Sequence, residues 1–275
     1  MKPHPLAPHP ALLEDAEFDL ASRLIRAYAG IKLSPHKRVM VHNRLSREVR
    51  RRGLRTFSEY LALVEADVEG ERETFINALT TNLTAFFREP HHFDMLRARA
   101  AHKAATAASP FRVWSSACST GEEAWSIAMT LREAGCAAQV LATDIDTSAL
   151  ATAQAGLYRT ERAAAVPAQQ LRMHFLRGTG PNEGWLSIRP ELRGLVTFRQ
   201  LNLQAAGWPE LGSFDAIFCR NVVIYFDRST QARLIDRFAS LLRPGGMLAV
   251  GHAESFPAGN RRFRSCGRTA YELVA

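Results

Sequence analysis

An aspartate, Asp144, stands twenty-three residues beyond Gly121, the last of a run of small residues, Ser115-Ser116-Ala117-Cys118-Ser119-Thr120-Gly121. After a strand, such a run allows close backbone approach and opens a helix whose N-terminal amides face a ligand. A carboxylate at the end of the next strand accepts hydrogen bonds from both ribose hydroxyls of an adenosine. The run is not GxGxxG, so a pyrophosphate fits less well than a cofactor without phosphate. A purely structural turn would explain the same residues. Asn202 and Asn221 each follow a strand-like segment and offer an amide to an adenine edge or an amino-acid group; a local turn or cap is the plain alternative. His91, His92 and His252 have no Cys, Asp or Glu at metal spacing beside them, so no metal site is expected. The segment at Gly251-His252 reads as a wall of the cleft.

These residues need a scaffold, and the second part of the chain supplies the rhythm of one. Strands are expected at 111–117, 139–143, 214–219, 247–251 and 271–274, and helices at 122–134, from 148 and at 230–242. That alternation predicts a mostly parallel sheet covered on both faces. The stretch from 171 to 200 breaks it: strand candidates at 171–176, 185–189 and 196–199, joined by Gly178-Thr179-Gly180-Pro181-Asn182-Glu183-Gly184, predict a small antiparallel insert.

Residues 13 to 80 read as helical throughout. Phe18, Leu20, Leu24 and Ile25 recur at helical spacing before Gly30, and Ser34-Pro35 predicts an N-cap with proline in the first turn. In the helix that follows, to about Arg52, Val41, Leu45 and Val49 stack on one face, and Asn43, Arg44, Arg47, Arg50 and Arg51 spread over the other. Only Glu48 is acidic between Lys37 and Arg55. The proline-rich first ten residues suit a loose tail rather than a signal peptide.

An apolar fraction of 47% supplies a core, and the net charge of +8 suits an acidic protein partner as well as nucleic acid. No run of 18 apolar residues exists to span a membrane. The four cysteines form no CxxC pair, which fits reduced thiols and a cytoplasmic location.

Several segments together closely resemble the bacterial chemotaxis receptor glutamate O-methyltransferase family: Thr81-Asn82-Leu83-Thr84-Ala85-Phe86-Phe87-Arg88-Glu89, Ser119-Thr120-Gly121-Glu122-Glu123, Thr143-Asp144-Ile145-Asp146, Phe214-Asp215-Ala216-Ile217-Phe218-Cys219-Arg220-Asn221-Val222-Val223-Ile224-Tyr225-Phe226 and Gly251-His252-Ala253-Glu254-Ser255. The resemblance runs from about residue 15 to the end. It implies an α/β fold: a Rossmann-like S-adenosylmethionine-dependent methyltransferase domain at 81–275, an all-helical receptor-recognition domain at 13–80, and an inserted antiparallel β-subdomain at 168–200. It also implies that Asn82, Thr84, Arg88, Glu123, Asp144, Asn202, Leu203 and Asn221 bind the cofactor, Glu123 at the amino end and Asp144 at the ribose. By the same resemblance, Arg88 and Tyr225 are expected beside the substrate carboxylate. The partners implied are the cytoplasmic methylation helices of chemotaxis receptors and, at the β-subdomain, a receptor C-terminal tail peptide, with no nucleic acid and no membrane insertion. Two departures are visible: Ala124-Trp125 replaces the Pro-Tyr common after the paired glutamates, and Cys118 fills a position usually held by alanine or another small residue.

A sulfonium-activated methyl group and an ionised glutamate need alignment and exclusion of water rather than a general base. This accounts for the absence of a Ser-His-Asp arrangement. The planar fork of Arg88 would hold the acceptor carboxylate and the Tyr225 hydroxyl would orient it. Two rivals are a nucleic-acid methyltransferase, for which no base-binding motif is visible, and a receptor-binding adaptor on a degenerate scaffold.

Overall fold

The computed structural model describes residues 12–106, 109–254 and 261–274. The proline-rich start and Ser255 lie outside the described residues. The chain divides into two compact units, one ending at Thr81 and the other beginning at Asn82.

The first unit is built from α1 (Asp15–Ala29), α2 (Arg38–Arg51), α3 (Phe57–Glu65) and α4 (Glu71–Leu79). Gly30 ends α1 in the left-handed region at φ 70°, where a side chain would be penalised. Thr56 opens α3 with a capping box: its hydroxyl accepts from Glu59 N at 3.2 Å, and the Glu59 carboxylate takes Thr56 N at 3.0 Å. Ser34-Pro35 behaves differently from expectation. It starts a 3-10 turn, Pro35–Lys37, and the Ser34 hydroxyl meets His36 Nε2 instead of capping a backbone amide.

Val41, Leu45 and Val49 are fully buried, as their spacing predicts; each such side chain contributes about 1.5–3 kcal/mol. The arginine face is less free than the sequence implies. Arg44 donates to the carbonyls of Ala78 and Thr80. Arg51 binds Glu48 and the buried Glu71, which Arg52 shares. Arg47 and Arg50 are exposed and make no ion pair among the described residues, whereas Arg51 is exposed but paired. Glu71 was hidden because it lies twenty residues from Arg51 and reaches it only through the turn between α3 and α4.

The second unit runs α5 (His91–Thr106), β1 (Phe111–Ser115), α6 (Glu122–Glu133), β2 (Ala138–Asp144), α7 (Thr147–Ala155), β3 (Leu157–Arg159), α8 (Ala168–His174), β4 (Phe175–Arg177), β5 (Trp185–Ile188), α9 (Pro190–Arg193), β6 (Val196–Gln200), β7 (Phe214–Cys219), α10 (Arg228–Leu241), β8 (Leu242–Val250), β9 (Phe263–Gly267) and β10 (Ala270–Leu273). Seven strands form one sheet in the order β6-β2-β1-β7-β8-β10-β9. The first five run parallel, while β10 is antiparallel to β8 and to β9. Trp125, Met129 and Phe218 pack in one apolar cluster of this unit and Trp114, Phe214 and Phe238 in another. Because β2, β1, β7 and β8 are parallel neighbours, the loops after them all emerge at one sheet edge. Among the described residues no helix is long and apolar enough to cross a membrane.

The antiparallel insert exists but is assembled differently from the expectation. Its three strands are β3-β5-β4. Residues 171–174 close helix α8, and only 175–177 form β4. The stretch expected as the third insert strand is β6, which pairs parallel to β2 at the edge of the main sheet. The missing partner is β3, outside the expected 168–200 boundary. Three residues after the left-handed Gly156 are too few to show an alternation.

Candidate functional site

The site is built where the four parallel strand tips meet the segment before α5. The small-residue run follows β1, and Gly121 sits at the N-cap of α6 with φ 97°. A Cβ there would lie 2.7 Å from Ala153 Cβ and 2.9 Å from the Tyr158 hydroxyl. This glycine therefore lets α6 pack closely against α7 and the small sheet.

Asp144 ends β2 and is 8% exposed. Its carboxylate accepts from Ser119 N at 2.7 Å and Asp146 N at 3.0 Å, which ties the β1 loop to the β2 loop. Burial pushes its pKa up against the pull of those amides. Glu123, also 8% exposed, lies in the first turn of α6. It accepts from Ser115 Oγ at 2.7 Å and pairs with Arg220 at 3.0 Å. Burial raises its pKa too, despite that arginine. Two carboxylates, one ending β2 and one in the first turn of α6, thus retain unused acceptor lone pairs in a dry setting, which suits a ligand offering hydroxyl and ammonium donors.

Asn82 is committed within the protein: it donates to Asp146 at 2.7 Å and accepts from Ser119 Oγ at 3.0 Å. It braces the loop that carries Asp144. Thr84 follows, half-buried. Arg88 donates to the Leu83 carbonyl at 3.0 Å, and among the described residues its other donors meet no acceptor. Arg88 makes no ion pair with the neighbouring Glu89 among the described residues. Glu89 is taken instead by Arg220 at 3.3 Å and His252 at 3.1 Å.

Asn202 follows β6 and its side chain accepts from Gln204 N at 2.8 Å, the turn-forming role that was its plain alternative. Leu203 beside it is buried in the same apolar cluster as Leu201, Leu211 and Phe238. Asn221 follows β7 at φ 58° and packs over Gly251, where a Cβ would fall 2.4 Å from its side-chain nitrogen. Tyr225 closes a 3-10 turn, half-buried, and its hydroxyl meets no partner among the described residues. Phe87, Glu89, Ser119 and Asn221 all hold positive φ. Each such residue costs about 1–2 kcal/mol, which the surrounding bonds must offset.

Three participants escaped the sequence reading of single residues. Arg220, with its side chain 2% exposed, bridges Glu123, Glu89 and the Arg88 carbonyl. Its position directly before Asn221 was the available signal. Glu254 is buried and accepts from four backbone amides. Glu89 joins His91 and His92 in a group whose ligand atoms lie within 4.8 Å of one another, a grouping that spacing in the sequence did not reveal. Arg220 opposes a metal there by placing its own positive charge on Glu89. Burial, then Arg220 and His91, lowers the His92 pKa to about 4, so His92 is neutral near pH 7.

Comparison with known proteins matches residues 16–80 to the family described as "CheR methyltransferase, all-alpha domain" and residues 82–272 to "CheR methyltransferase, SAM binding domain". The chain is 51% identical over 267 residues to a chemotaxis protein methyltransferase of Klebsiella aerogenes, covering 95% of this chain and 91% of the relative. It is 50% identical to the protein of that name in Escherichia coli, covering 95% and 92%. With chemotaxis protein methyltransferase 2 of Pseudomonas aeruginosa it shares 46% identity, covering 93% and 92%.

Proposed function

This chain belongs to the chemotaxis protein methyltransferase family and is an S-adenosylmethionine-dependent methyltransferase; from that premise we propose how its residues divide the work of esterifying receptor glutamates. The observation that carries the assignment is the pair of buried carboxylates, Glu123 in the first turn of α6 and Asp144 at the end of β2. Their chemistry fits a cofactor with ribose hydroxyls and an ammonium but no phosphate. Asp144 accepts from the ribose and Glu123 faces the amino group. Asn202 and Leu203 flank the adenine, Asn221 and Thr84 line the methionine portion, and Asn82 holds the loop that presents Asp144.

S-adenosylmethionine, when bound, supplies a methyl carbon already activated by its sulfonium. Arg88 and Tyr225 then have one task, to hold an ionised glutamate in line with that carbon. Both keep unused donors, and neither must take a proton because the acceptor is ionised near neutral pH. Arg88 must bind loosely enough to leave the attacking oxygen nucleophilic. Leu83, 77% exposed, and Ile224, 49% exposed, leave apolar surface on the loops that carry Arg88 and Tyr225. That supports a protein surface as the acceptor.

The finer partners are assigned by charge and by sheet edges. The methylation helices of a receptor, rich in glutamate, complement the exposed Arg47 and Arg50 of α2. The receptor's C-terminal tail adds as a strand to the small sheet, whose outer strands are β3 and β4. Incubation with methyl-labelled S-adenosylmethionine and receptor cytoplasmic fragments tests the assignment. Base-labile label on glutamate side chains is expected; cofactor binding without ester formation would leave only an adaptor.

A further inference from the structure

A carboxylate that no step above uses lies directly beneath the loop bearing Asn221 and Tyr225. Glu254 is 6% exposed and follows β8. Its Oε2 accepts from Gly251 N at 2.6 Å and Asn221 N at 2.8 Å. Its Oε1 accepts from Val222 N at 2.8 Å and Val223 N at 2.9 Å. Three of these amides open the 3-10 turn Val223–Tyr225, where no internal carbonyl is in reach. On its other side the turn is held by Gln231, whose amide donates to the carbonyls of Val223 at 2.9 Å and Phe226 at 3.1 Å. The turn is therefore gripped by its donors from β8 and by its acceptors from α10.

We propose that Glu254 is a positioning residue for methyl transfer: its carboxylate fixes the 221–225 loop and through it sets Asn221 against the cofactor and Tyr225 against the acceptor. Four converging amides are more than a buried carboxylate needs to be tolerated, and they all belong to two catalytic-edge loops. Asn221 gives the arrangement a reason. Its backbone lies in the left-handed region, which asparagine tolerates better than most residues, and packs against Gly251 with no room for a Cβ. The two amides of Oε2 are those of Asn221 and Gly251 themselves, so Glu254 clamps together the two backbones whose close approach orients the Asn221 side chain.

The inference rests on the roles given above to Asn221 and Tyr225, and the test separates the two. Glu254→Gln keeps the shape, but its amide nitrogen turns a donor toward two backbone donors. Turnover at saturating receptor and cofactor should fall roughly 10- to 100-fold, as for a misplaced catalytic group. Adenosylhomocysteine affinity should fall several-fold, receptor KM should stay near the parent value, and amide exchange at 221–223 should quicken. A residue that only stabilised the fold would lower the active fraction and leave the turnover of each folded molecule unchanged. Combination with Tyr225→Phe and Asn221→Ala completes the test. If Glu254 acts through them, each double variant is little slower than its slower parent. Full multiplication of the effects in both doubles would overturn the positioning role while leaving those two assignments intact. Silence of both single variants would instead remove the assignments of Tyr225 and Asn221, and this inference with them. Should Glu254→Gln not fold, Glu254→Asp, which keeps the charge but shortens the reach, enters the same cycle with the same expected pattern at smaller size, and parent turnover and parent amide exchange in it would overturn the proposal.

Discussion

Asp144 carries two loads that the sequence presents as one. Its position after a strand made it legible as a ribose acceptor, but its bonds to Ser119 N and Asp146 N are long-range or turn geometry that no spacing encodes. Asp144→Ala should therefore weaken cofactor binding and also leave two backbone amides unsatisfied, lowering the melting temperature. Asp144→Asn keeps one of the two acceptors and turns a donor toward the other amide, so it costs the fold less; calorimetry with adenosylhomocysteine on the folded fraction should show a loss of about 1.5–3 kcal/mol, and unchanged affinity would remove the ribose role. Burial raises the pKa of Asp144 and of Glu123. For acids shifted upward, the stabilising contribution is complete below the unfolded-state pKa and is lost as pH rises through the folded one. Binding calls on the ionised forms, so the protons held in that interval must leave. Calorimetry at about pH 5, just above ordinary carboxylate values, in buffers of different ionisation enthalpy should show proton release that shrinks in Glu123→Gln. Equal heats in all buffers would mean that the cofactor does not engage these carboxylates as anions.

At the scale of elements, the helices of the first unit and the strands carrying the site were visible in periodicity because each buries a continuous face. Val41, Leu45 and Val49 illustrate this. What periodicity could not show was which polar residues the fold consumes. Arg51 looked as available as Arg47 until Glu71 came to lie beneath it. Burial alone would raise the Glu71 pKa, but the hydrogen bonds from Arg51 and Arg52 hold it below the ordinary range. Its contribution is present above the unfolded carboxylate pKa and is lost as pH falls through the lower folded value. The arginines of α2 thus divide into two testable sets. Arg47→Glu with Arg50→Glu should raise receptor KM severalfold and flatten its salt dependence while leaving melting and cofactor affinity unchanged. Glu71→Ala should cost about 1–3 kcal/mol of stability with little effect on the receptor KM of the folded protein. Receptor kinetics indifferent to reversal at Arg47 and Arg50 across a salt series would take α2 off the recognition surface.

For the molecule as a whole, the charge of +8 favours fast encounter with an acidic receptor but gives no selectivity among acidic surfaces. Selectivity calls for a second hold, and the small sheet has the means for one. Its location was only half legible: the glycine-rich connection pointed to an antiparallel turn, yet one strand was too short to detect and another expected strand joined the main sheet. The connection itself is tightly made. Gly178 N bonds to the Trp185 carbonyl at 2.9 Å, and a Cβ on Gly178 would lie 2.0 Å from the Asn182 carbonyl oxygen. Gly180 and Gly184 take φ values of 57° and 80°. This turn sets how far β4 extends and leaves Leu176, 43% exposed, on the outer strand with Arg177 beside it. A backbone edge, an apolar side chain and a cation suit an extended peptide that ends in a carboxylate. Because a tether raises local concentration without entering the chemistry, shortening the 178–184 loop should weaken binding of a full-length receptor and spare turnover on a saturating tail-less fragment. Titration with the last residues of the cognate receptor completes the test. Binding to the intact protein that is lost on shortening supports the tether, equal affinity for both proteins removes the loop from it, and no binding to the intact protein removes the tail of that receptor as its ligand.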